Sequence, residues 1–182
     1  MTERSDLANL RALGEPRVRD WAGASEPVGA GLVEWTRLAI AHDQRLAVRA
    51  SLRACQLVTG AYPQRGTQAP RHYIDGMLAA IVRWVDEPSK EHREVVRCSL
   101  DVDRQAHAWQ TDDAADFWIL EAVDHACLTV WAGERASYII PVDFATTAGR
   151  VVACVFHAMR SAGQSEQAAA EAVIDVILAA TA

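Results

Sequence analysis

Two pairs of carboxylates have the spacing in this chain best suited to chemistry. Glu91 and Glu94 stand three residues apart, as do Glu121 and Asp124, and that separation brings side chains to one face of a helix. On two antiparallel neighbouring helices the four groups would converge on Mg²⁺, a hard cation that takes oxygen ligands and is usually shared between carboxylates and substrate phosphates. A further acidic group, Asp112, Asp113 and Asp116, spells DDxxD. It lies where a helix is expected to begin, and the free amides and positive dipole end there account for all three acids without a metal. His125 follows Glu121 by four residues, and His107 follows Asp103 by four. That spacing suits surface pairs, whereas a di-iron bundle needs carboxylate and histidine three apart. No nucleophile is marked by a GxSxG elbow, a P-loop or an HExxH helix. Cys55, Cys98, Cys127 and Cys154 form no CxxC pair and sit in apolar stretches such as RACQLV, where burial disfavours the reactive thiolate.

Binding chemistry is the other possibility, and here charge and aromatic residues supply the signal. Residues 111–182 hold ten acidic side chains against three basic ones, a net −7, while residues 1–110 carry +1, which together make the chain's −6. Regional charge of this kind steers association with an oppositely charged partner. Trp109 and Trp118 flank the acidic start formed by Asp112, Asp113 and Asp116. An aromatic anchor beside charged groups is the composition of a protein interface, and the partner expected is a basic protein. Nucleic acid is not expected, because phosphate neutralisation needs a basic surface and the sequence pI is near 5.5. Arg37, Arg45, Arg49 and Arg53 could line a basic side of a helix, but Glu34 and Asp43 interrupt the run, and a solvated helix face explains it equally well. Asp143, Arg150 and His157 recur every seven residues with Thr147 and Cys154 beside them, either as a recognition stripe or as the solvated side of an amphipathic helix.

The elements that must position these residues read as helices, since apolar residues recur at three- and four-residue steps and strict alternation is nearly absent. A first helix is expected over Thr2–Leu13, then a proline- and glycine-rich loop over Gly14–Ala30. A long helix follows from Gly31 to Thr59, with a possible break at His42-Asp43 and a stop at Gly60. Pro70 is placed to open the next, which reaches Asp86, because a proline in the first turn sacrifices no hydrogen bond. Ser89 can cap a helix running to Trp109, and Thr111 one that contains AADFWILEAVDHACLTVWA, the most apolar stretch and the expected centre, ending at Gly133. Pro141 should open a helix to Gly163, and Ser165 should cap the last.

These elements predict an all-α fold, a single domain over residues 1–182 built as a bundle of about seven helices with mostly antiparallel neighbours, residues 1–30 packing on it. A length of 182 residues, 51% of them hydrophobic and 23% charged, suits one buried core. The N-terminal residues show no basic-then-apolar leader, and no window approaches the roughly 18 apolar residues of a membrane span. A cytoplasmic protein is expected. Homo-oligomerisation of a structural, self-assembling protein is a further possibility.

Two resemblances follow from these residues. The Glu91/Glu94 and Glu121/Asp124 pairs resemble the carboxylate signature of the all-helical nucleoside triphosphate pyrophosphatases of the MazG type, with Lys90 standing where that family has an additional glutamate. This likeness implies Mg²⁺ and hydrolysis to a monophosphate and pyrophosphate. The run RLAVRASLRACQLV, then PRHYIDGMLAAIVRWVDEPSKE and the alanine-rich helices through DHACLTVWAGERA, looks like the all-helical immunity proteins of bacterial polymorphic toxin systems over most of residues 38–160. It implies a non-catalytic protein, without a cofactor, that binds and occludes a cognate toxin. The binding reading is the leading expectation, with the acidic C-terminal third turned toward a basic partner.

Overall fold

A computed structural model describes residues 29–40, 42–60, 68–97, 113–132 and 143–181. Seven helices run through them: α1 (Gly29–Ile40), α2 (Gln44–Thr59), α3 (Gln68–Asp86), α4 (residues 90–97), α5 (Ala114–Trp131), α6 (Phe144–Ser161) and α7 (Glu166–Thr181). The fold is all-α, with no strand among the described residues. The expected first helix, Thr2–Leu13, and the far half of the helix expected to reach Trp109 lie outside the described residues. No described helix is long and apolar enough to cross a membrane.

Short polar side chains set the helix starts. The long helix expected over Gly31–Thr59 is two, because Asp43 takes an extended conformation (φ −144°, ψ 112°) and its carboxylate accepts from the amides of Arg45 (2.8 Å) and Leu46 (3.3 Å). That cap restarts the chain as α2. Likewise α5 is capped by Asp113, two residues beyond the expected Thr111. Its Oδ1 accepts from Ala115 and Asp116 at 2.8 and 3.1 Å. Asp143, rather than Pro141, starts α6. Ser89 and Ser165 cap α4 and α7 as expected, accepting from the amides of His92 and Ala168. Two starts come earlier than expected: α1 begins at Gly29, inside the stretch read as loop, and α3 at Gln68, which leaves Pro70 in a first turn whose amides need no helical acceptor.

Termination is clearest after α6. Gly163 has φ +93°, its amide donates to Arg160 O, and the amide of Gln164 donates to Met159 O. This is the Schellman closure, in which a left-handed residue turns the chain back on the last free carbonyls and glycine alone escapes a Cβ clash.

The described helices share one hydrophobic core, to which α4 adds Val96 and the two large indoles Trp35 and Trp84 belong. Its centre is α6 and not, as expected, α5. Twelve of the eighteen residues of α6 are buried, and it packs against α1, α2, α5 and α7. Small residues permit so many neighbours: at Gly149 the backbone of α1 comes so close that a Cβ would stand 2.7 Å from Val33 O. α5 packs on α6, α2 and α3.

The arginine run of α2 has a structural use. Arg45 donates through Nε to Val85 O (2.8 Å) and through Nη2 to Asp86 O (3.1 Å), at the end of α3. Arg53 Nη1 donates to Ala179 O (2.8 Å), near the end of α7. Gln44, in the first turn of α2, directs Nε2 at the carbonyls of Thr129, Val130 and Ala132 at the end of α5. One helix thus serves the free carbonyls of three others, and the two guanidinium charges lie at the negative ends of helix dipoles.

Candidate interaction surface

The first two turns of α5 hold the described part of the expected acidic and aromatic cluster. Trp109 and Asp112 lie outside the described residues. Asp113 is exposed, and its carboxylate is engaged as the cap of α5. Asp116 is only 6% exposed, so it belongs to the helix interface and not to an acidic surface. The helical period explains the difference. Asp116 follows the cap by three residues and shares the inward side of α5 with Ile119, Leu120 and Val123.

Phe117 and Trp118 form the outer part of an aromatic ladder. Phe117 is 39% exposed and meets Trp118 edge-on at 5.1 Å. Trp118, half-buried, stacks on His157 of α6 with ring centroids 4.6 Å apart and planes 24° from parallel. Buried Phe156 closes the ladder, edge-on to His157 at 5.5 Å. The rings therefore run from solvent into the core across the α5–α6 contact, with Trp118 packed between Phe117 and His157. One turn on from Phe117 stands Glu121, half-buried, its carboxylate 3.9 Å from His125 Nε2. Asp113, Phe117 and Glu121 follow one another at four-residue steps, an acid, a ring and an acid along one side of the helix.

The seven-residue stripe of α6 is only partly solvated. Asp143 and Arg150 are exposed and His157 half-buried, but Thr147 and Cys154 are buried. Partial burial alone would raise the Asp143 carboxyl. The hydrogen bonds from the Thr146 hydroxyl and amide, together with the Arg37 guanidinium, outweigh it and hold the group below the ordinary carboxylate range. Cys154 is pushed up to about 12, chiefly by burial, with the Glu121 carboxylate adding to the rise and Arg150 opposing it. Burial likewise raises the Cys55 thiol, so neither cysteine is an activated nucleophile.

Three of the four carboxylates expected at a metal have separate partners. Glu91 is exposed, and Glu94 accepts from Arg97 Nε at 2.7 Å, within α4. Glu121 faces His125. Asp124 is 1% exposed and accepts from the buried hydroxyl of Tyr73 on α3 at 2.5 Å. Among the described residues no three histidine, cysteine, aspartate or glutamate side chains come together as a group able to hold a metal. Tyr73 went unnoticed in the sequence, although the signal was present. Asp124 falls between Leu120 and Cys127 on the apolar side of α5, where a carboxylate needs a buried donor.

Comparison with protein-family models, with curated proteins and with solved structures finds no match to this chain.

Proposed function

We propose that this chain is a non-catalytic protein-binding module that engages a basic protein through the start of α5 and the adjoining edge of α6, in the manner of an inhibitor or immunity protein. The observation that carries the reading is the aromatic ladder: Phe117 is open to solvent between Asp113 and Glu121 along one side of α5, and its neighbour Trp118 stacks on His157. A rigid ring loses little conformational freedom on binding, and aromatic residues in pre-formed positions dominate the energetics of interfaces. The acid side chains supply steering and salt dependence. The excess negative charge of residues 111–182 favours a cationic partner. We assign the protein to the cytoplasm, a reading supported by Cys55 and Cys154 as buried thiols.

Affinity capture from the cells that make the protein, at low and moderate salt, tests the reading. The expected result is a basic protein retained by the wild type, released as salt rises, and lost with Phe117→Ser. Mg²⁺-dependent hydrolysis of a nucleoside triphosphate that disappears in Glu121→Gln would contradict it, as would a defined homo-oligomer in light scattering with no foreign partner at either salt.

A further inference from the structure

We draw no further inference here: the strongest candidate, the half-exposed Phe117, Trp118 and His157 ledge where α5 meets α6, belongs to the surface already described, and nothing in the structure shows what covers it.

Discussion

Replacing Gly149 with alanine is predicted to destabilise the protein even though alanine is the better helix former. In an open helix this change gains about 1 kcal/mol. At Gly149 the added Cβ would stand 2.7 Å from Val33 O and 2.8 Å from Val33 Cα, whereas ordinary contact begins at 3.4 Å. The backbone of α1 must therefore retreat by about 0.7 Å, the difference between 3.4 and 2.7 Å. No side-chain rotation relieves a clash with backbone, so the cost falls toward the upper end of the roughly 1–3 kcal/mol typical of overpacking. The net expectation is a loss of about 2 kcal/mol. Gly76, exposed on α3 with nothing within 4 Å of its Cβ position, is the matched control. There the same substitution should stabilise by up to ~1 kcal/mol. Urea unfolding followed by circular dichroism should separate the two variants by about 3 kcal/mol, with the wild type between them, or by roughly 10 °C in thermal midpoint. A Gly149→Ala protein as stable as Gly76→Ala would refute the close α1–α6 approach and with it the central position of α6.

Tyr73→Phe removes the hydroxyl that donates to buried Asp124, and a loss of about 1–3 kcal/mol in denaturant unfolding is expected when a buried polar group loses a hydrogen-bond partner. Unchanged stability would show that the two groups are not bonded. Asp143→Ala should cost about 1 kcal/mol at neutral pH through loss of the α6 cap. Because the fold holds this carboxyl below its ordinary value of 3.8, the wild-type advantage should be complete above that pH and be lost as pH falls from there through the lowered folded-state value. A constant difference across that range would contradict the assignment. Cys55 and Cys154 should resist alkylation in the native protein at neutral pH and react on unfolding, as read by peptide mass mapping; rapid native labelling of either would place it outside the core.

Local chemistry made most helix boundaries legible. The caps at Ser89 and Ser165, the stop at Gly60, the turn at Gly163 and the break at Asp43 all depend on side chains and backbone amides a few residues apart. Where two aspartates or a proline competed for one start, at Asp113 and Asp143, the boundary moved by two or three residues. Long-range choices were harder to read. Mean apolarity pointed to α5 as the centre, but the number of neighbours a helix accepts depends on residues small enough for close approach, and Gly149 and the alanines of α6 decide that. The arginines of α2 resembled a solvated stripe because their acceptors lie at the ends of helices about 40 and 126 residues away in sequence. At the proposed surface, the aromatic and acidic composition around Trp118 was visible in the sequence. The stack on His157 was not, since it joins two helices across 39 residues whose register nothing local specifies.

The central claim is that the exposed edge of the aromatic ladder, steered by its neighbouring acids, binds a basic protein. Its most direct test is titration calorimetry of the captured partner, purified, against wild-type protein, Phe117→Ser and Glu121→Lys at several salt concentrations, with thermal unfolding to verify that both variants fold. The account predicts that Phe117→Ser weakens binding by about 2 kcal/mol at every salt concentration, as truncation of an interface anchor does. Glu121→Lys should weaken it mainly at low salt and flatten the salt dependence. Folded variants that both bind as tightly as the wild type, with the same response to salt, would contradict it.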